Sequence, residues 1–237
     1  MEQSNIIVRV AQLGDIIYAN TITDEMAASA QARGTGIAKR SPEYVSQKML
    51  EGKAVIALTA EGAWVGFCYI EAWSHGKFVA NSGLIVSPQY RKTGIAKKIK
   101  YKIFELSRQL YPDAKIFGLT TGLAVMKINS ELGYEPVTYS ELTDDENFWA
   151  GCKSCVNYDI LMSKGRKNCM CTAMLYDPKD HPQPAVTASE FNKNSKIYER
   201  FMRLKQKRLV KYLKRKKLEK DHSKQRSFSF FSFLLNL

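Results

Sequence analysis

Gly83-Leu-Ile-Val-Ser-Pro-Gln-Tyr-Arg-Lys-Thr-Gly-Ile-Ala-Lys-Lys-Ile99 reads as a strand, a short loop and the start of a helix. The apolar run ends at Val86, Pro88 stops strand pairing, and a helical period of apolar residues begins at Ile95. This arrangement suits a diphosphate. Glycine lets the backbone approach the ligand, successive amide N–H groups point at its oxygens, and the helix N-terminus adds partial positive charge. The residues placed to hold the anion are Arg91, Lys92, Thr93, Gly94, Ile95, Ala96 and Lys97, with further positive charge from Lys98.

Outward from this segment the chain alternates strand and helix signals. Residues 5–10 are β-branched and read as a first strand, and residues 15–31 as an Ala-rich helix that stops at Arg33-Gly34-Thr35-Gly36. Ser41 and Pro42 open a second helix as N-cap and first helical residue. Residues 54–59, 64–73 and 77–86 are strands, the first two joined by the hairpin signal Ala-Glu-Gly-Ala. A helix over 95–110, a strand over 115–120 and a helix over 123–132, closed by Gly133, complete the pattern. The order predicts an α/β (α+β) fold with a mixed, mainly antiparallel central sheet flanked by helices.

The 237 residues carry a formal charge of +13, unevenly placed. Residues 191–237 hold 15 of the 36 basic and 3 of the 23 acidic groups, so +12 lies there and +1 on the rest. The whole-chain charge is therefore no sign of a basic globular body. Ile197, Tyr198, Phe201, Met202, Leu209, Tyr212 and Leu213 share one face of a helix, with Lys and Arg opposite. Docking on the body, contact with an anionic membrane surface and contact with nucleic acid all remain open for this tail. The longest apolar run, near Phe228, is far short of the ~20 residues of a membrane span. The N-terminus has no signal-peptide pattern, and five cysteines, four of them clustered, do not resemble a secreted disulfide framework. The expected location is cytoplasmic.

Leu84-Ile-Val86-Ser-Pro88 followed by Arg91, Gly94 and Ala96 resembles the acyl-CoA signature of the GNAT superfamily of N-acetyltransferases. Leu132-Gly133-Tyr134-Glu135 is similar to the turn after that family's second core helix, so the resemblance spans about residues 5–137. It implies acetyl-CoA as cosubstrate, direct attack by an amine, and backbone contacts from Ile85 and Val86 to the acyl carbonyl and pantetheine arm. The segment Arg33-Gly-Thr-Gly-Ile-Ala-Lys-Arg40 nearly copies the CoA loop, but a helix precedes it, so the diphosphate is assigned to the second copy. In the family the loop between the first two helices lines the acceptor side. Arg33, Lys39 and Arg40 would there hold acceptor carboxylates. The family's leaving-group Tyr falls on Asn129 and a frequent Asn on Gly122, so neither carries over. Glu71 and His75, near the end of a strand, are the candidates for general base, each also readable as an ordinary surface residue.

Cys152-Lys-Ser-Cys155 and Cys169-Met-Cys171 form two close pairs separated by thirteen residues. The expectation is one structural zinc held by four thiolates, with free redox-responsive thiols or an iron–sulfur cluster as alternatives. Cys68, within an apolar strand, reads as a core thiol. The expected layout is an acyltransferase domain over residues 1–145, a Cys-rich element over 146–178, a linker over 179–190 and a basic tail over 191–237. The combination of the Arg33–Arg40 segment with Phe148-Trp149 and the cysteine pairs is similar to a bacterial group linked with arginine biosynthesis, which implies acylation of glutamate. Acylation of a protein or polyamine, or a non-catalytic module for nucleic acid or membrane, are the rival readings.

Overall fold

The computed structural model describes residues 5–32, 34 and 40–181. The chain divides into residues 1–181 and residues 182–237. The latter, with most of the expected linker and all of the basic tail, lie outside the described residues, as do Arg33 and Lys39.

Seven strands and six helices follow in the order β1 (Ile7–Val10), α1 (Ala19–Ala32), α2 (Pro42–Leu50), β2 (Ala54–Leu58), β3 (Trp64–Trp73), β4 (Phe78–Val86), α3 (Ile95–Leu110), β5 (Lys115–Thr120), α4 (Leu123–Glu131), β6 (Glu135–Val137), α5 (Glu146–Ala150), α6 (Tyr158–Ser163) and β7 (Thr172–Tyr176). A 3-10 turn over Leu13–Tyr18 leads into α1. Its entry is held by Asp15, whose carboxylate accepts from the Gln12 backbone N–H at 2.6 Å and from Arg9 at 2.6 and 2.9 Å. The Ser41 hydroxyl caps α2 by accepting from Tyr44 N–H at 3.2 Å.

All seven strands form one sheet in the order β1-β2-β3-β4-β5-β7-β6. Every neighbouring pair is antiparallel except β4 and β5. The expected mixed, mainly antiparallel sheet is therefore present. The strand expected over residues 64–73 and the helix expected over 95–110 match β3 and α3.

Alternation along the strands separates two faces. On one, α1 and α2 bury Ile22, Met26, Val45 and Met49 against Ile56, Phe67, Tyr69 and Ile85. On the other, α3 packs Ile95, Ile99, Ile103 and Leu106 over Val55, Cys68, Ile70, Val79 and Val86. Each such side chain contributes about 1.5–3 kcal/mol by leaving water. A third cluster sets Trp149, Tyr139 and Leu161 against Ala80, Phe117 and Leu175.

The sheet crosses the expected domain boundary at residue 145. β7, assigned by sequence to a separate Cys-rich element, lies between β5 and β6 and pairs with both. Its Ala173, Met174 and Leu175 are buried there, which removes their apolar surface from water. Among the described residues no helix is long and apolar enough to cross a membrane.

Candidate active site

The parallel pair β4·β5 is short. Phe78, Val79 and Ala80 pair with Lys115, Ile116 and Phe117, and pairing then stops. Yet β4 continues to Val86 and β5 to Thr120. The strands splay from Asn81 and Gly118 onward. β5 instead keeps β7 as its partner through Thr120. The splay leaves strand edges on which a ligand's amides can pair.

At the open end of β4 the expected loop is in place. Gly94 has φ +86° and offers no side-chain cap to α3. Lys97 and Lys98 N–H donate to Gly94 O, and the N–H groups of Ile95 and Ala96 are left for an anion. Lys92 also takes a positive φ of 65°. Two of the cations expected at the CoA loop are also engaged within the protein. Arg91 donates to Val86 O at 3.1 Å, Ser29 Oγ at 2.6 Å and Glu25 Oε1 at 2.7 Å, which ties the loop to α1. Lys97 pairs with Glu131 of α4 at 2.7 Å. Thr93 Oγ1 donates to Tyr90 O, and Ile95 is a buried core residue. Lys92, Gly94 and Lys98 stand exposed, with Ala96 partly so.

Polar groups line the inner end of the splay. Tyr134 Oη donates to Asn81 Oδ1 at 3.0 Å, and Asn81 Nδ2 donates to Ser107 Oγ at 2.7 Å. Packed on β5 and β7, Asn129 of α4 is 1% exposed and its amide nitrogen lies 3.7 Å from where a side chain on Gly118 would begin. Asn129 Nδ2 reaches Met174 Sδ at 3.8 Å, while its Oδ1 has no partner. A buried carbonyl oxygen left unpaired costs about 1–3 kcal/mol. That oxygen is enclosed beside β5 and β7; what fits CoA is the pair of free edges of β4 and β5 and the exposed glycine loop at the start of α3.

On the opposite face, Glu71 of β3 is 8% exposed and central to a second cluster. Its carboxylate accepts from Ser82 Oγ at 2.9 Å, from Arg40 Nη2 at 3.3 Å, and from the Tyr44 hydroxyl. Arg40 Nε also donates to Tyr69 Oη at 2.7 Å. Burial opposes the charge on Arg40, but Tyr69 and Glu71 outweigh it and hold the guanidinium above its ordinary value. Burial and the Glu71 carboxylate push the Tyr44 hydroxyl far up, so it stays protonated. Arg40 and Glu71, both singled out by sequence, thus meet. His75 does not join them. It is exposed in a turn beyond the end of β3 away from the CoA loop, with φ 56°.

A bulge joins the two faces. Phe67 pairs with Ile85 and Tyr69 with Ser82, so β4 carries an extra residue there. Gly83 sits in it at φ +65°, and a Cβ would lie 2.4 Å from Tyr69 Cε1. Beyond the bulge, Ile85 and Val86 resume pairing with Phe67 and Gly66 of β3. Sequence reading missed Ser82, Tyr44 and Tyr69 because their roles arise from cross-strand and helix–sheet placement. The one local signal was Gly83, a glycine inside a strand pattern.

The cysteines depart from expectation. Among the described residues no group of three or more His, Cys, Asp or Glu side chains is arranged to hold a metal ion. Cys152 and Cys155 lie at a turn after α5, and Cys169 and Cys171 precede β7. Cys155 Sγ accepts from Asn157 N–H at 3.4 Å and Cys169 donates to Asn157 O at 3.7 Å, so both turn toward backbone. Burial, reinforced by the neighbouring thiols, pushes Cys171 up to about 12. The four are partly buried free thiols, and Cys152 and Cys169 pack on the aromatic cluster around Trp149. Cys68 is a buried core thiol, as expected.

No family model and no curated protein matches the sequence. Solved structures do match the fold. N-acetylglutamate synthase from Neisseria gonorrhoeae, with coenzyme A and N-acetyl-glutamate, superposes at TM-score 0.51 and 18% identity, covering 74% of this chain and 36% of that one. The chain thus spans about a third of that synthase. Rv2747 from Mycobacterium tuberculosis, in complex with CoA, gives 0.51 at 17% identity, covering 72% and 98%. A putative acetyltransferase from Acinetobacter baylyi gives 0.52 at 14% identity, covering 77% and 98%. With its splayed parallel pair, glycine loop and bulged fourth strand, the chain has the fold of the GNAT N-acetyltransferases.

Proposed function

We propose that the protein transfers an acyl group, acetyl by default, from acyl-CoA to the amine of a small acidic metabolite, with glutamate as the first choice. The carrying observation is the β4·β5 splay, open beside the uncapped N-terminus of α3. The loop amides of Thr93 to Ala96 bind the diphosphate, and the bulge amides near Ile85 orient the acyl carbonyl. Ser82 Oγ, already donating to Glu71, accepts the proton of the attacking amine and passes its own to the carboxylate. Arg33 and Lys39, with Arg40 beside Glu71, supply the positive charge that suits acceptor carboxylates. Two of the matched structures hold CoA, and the gonococcal one also holds N-acetyl-glutamate, which supports this acceptor class. A place in arginine biosynthesis follows only if glutamate is the acceptor.

Turnover with acetyl-CoA is measured against glutamate, spermidine and a peptide amine in parallel. Glutamate is expected to give the highest kcat/KM. A preference for spermidine or the peptide overturns the acidic acceptor but keeps the acyltransferase. Failure to bind CoA at all overturns both.

A further inference from the structure

Lys100 is 2% exposed, an unusual place for a lysine. It lies on α3 seven residues before Ser107, and positions seven apart fall on one stripe of a helix. Ser107 accepts from Asn81 at the point where β4 and β5 part. Lys100, two turns nearer the CoA loop on that stripe, sits beside Cys68 of β3 and Tyr134, whose hydroxyl reaches Asn81 at the point where β4 and β5 part. Its ammonium stands 5.4 Å from the centre of the Tyr134 ring, a cation–π contact, and its other electrostatic neighbour is Cys68. Neither is a carboxylate. Tyr134 has committed its proton to Asn81, and Asn81 its amide to Ser107. Asn129 stands where the family's leaving-group Tyr would be, and an amide cannot give up a proton.

We propose that Lys100 is the acid that serves the departing CoA thiolate, a role that rests on the acyltransferase reading above. In the transfer, a carbon–nitrogen bond forms and the carbon–sulfur bond breaks. The electron pair of the broken bond stays on sulfur, which takes a proton from the Lys100 ammonium. The proton lost by the amine leaves through Ser82 and Glu71, and Lys100 is recharged from solvent after release. Burial pulls Lys100 below the ordinary lysine range, which makes it a stronger proton donor than a surface lysine. The titratable groups facing it are Cys68, which burial pushes up to about 11, and Tyr134, which burial raises far above its ordinary value, so neither competes as a donor.

The test compares CoA with desulfo-CoA by calorimetry, in the wild type and in Lys100→Met. Methionine keeps the volume of the stem and removes the charge, and losing a buried unpaired charge does not endanger folding. The wild type is expected to bind CoA about tenfold more tightly than desulfo-CoA, because only CoA offers a sulfur that can accept from the ammonium. Lys100→Met is expected to lose that preference while binding desulfo-CoA normally, and Lys100→Arg to restore part of it. A second measurement uses turnover with acyl donors of graded leaving-group acidity. Lys100→Met should slow acetyl-CoA strongly and an acetyl thiophenol ester little. Equal preference for CoA in wild type and Lys100→Met, or equal slowing of both donors, overturns the role of Lys100. Absence of binding to either ligand in the wild type overturns the acyl-CoA reading itself, and the Lys100 role with it.

Discussion

Two glycines of the site fail differently when given a side chain. Gly94, at φ +86°, has nothing within 4 Å of the place a Cβ would occupy. Gly94→Val therefore costs little packing. The left-handed backbone is strained by about 1–2 kcal/mol for an L side chain, and the loop relaxes away from the geometry that points its amides at the anion. Affinity for acetyl-CoA is expected to fall more than tenfold by calorimetry, with only a small fall in Tm. Gly83 is the reverse. Its Cβ would meet Tyr69 at 2.4 Å and Met26 Cε at 2.9 Å inside a filled core. Gly83→Ala is expected to destabilise by about 2–4 kcal/mol in urea unfolding and to displace the ring that holds Arg40. A variant of Gly83 with unchanged stability would show that the bulge is pliable and does not set the acyl subsite.

Elements show where sequence reasoning reached and where it stopped. β2, β3, β4, α3 and β5 were legible because each is a run of one period bounded by turn residues. The bulge in β4 was not, since one residue of register shift depends on the partner strand. Nor was β7 placed in the sheet. Its preceding cysteine pair suggested a metal knuckle, and short apolar runs carry no record of which strand they join. The entry to α1 illustrates an element held by one charge. Burial raises the Asp15 carboxyl, but the hydrogen bonds from Arg9 and Gln12 outweigh it and leave it below the ordinary value. A lowered folded pKa contributes stability above the unfolded value near ~3.9, and that contribution disappears as pH falls through the folded one. Asp15→Asn is expected to cost about 1–3 kcal/mol at neutral pH. Its deficit relative to the wild type should shrink below about pH 4, as denaturation curves at each pH would show. A deficit independent of pH would mean that the carboxylate's charge does not matter there.

At the scale of the whole molecule, the sheet and both of its helical faces lie between Ile7 and Tyr176. The last described residue, His181, stacks on Tyr176 at 4.7 Å between ring centres, and its ring nitrogen lies 3.0 Å from Gly133 O. Every group assigned to CoA and to proton transfer precedes it. Residues 182–237 carry 15 basic and 4 acidic groups, which leaves residues 1–181 with 21 basic and 19 acidic ones. A chain ended after His181 is therefore expected to fold, to keep its Tm within a few degrees, and to retain CoA affinity and kcat. What it should lose is salt-dependent attachment to anionic surfaces, since +11 of the charge departs with the tail and such attraction is screened over about 10 Å at 0.1 M salt. Collapse of folding on truncation would assign the apolar face of Ile197, Phe201 and Leu213 to the core. Normal folding with a raised KM for the amine alone would instead assign the tail to the acceptor side, where its lysines and arginines would add to the charge of Arg33, Lys39 and Arg40 in gathering an acidic substrate.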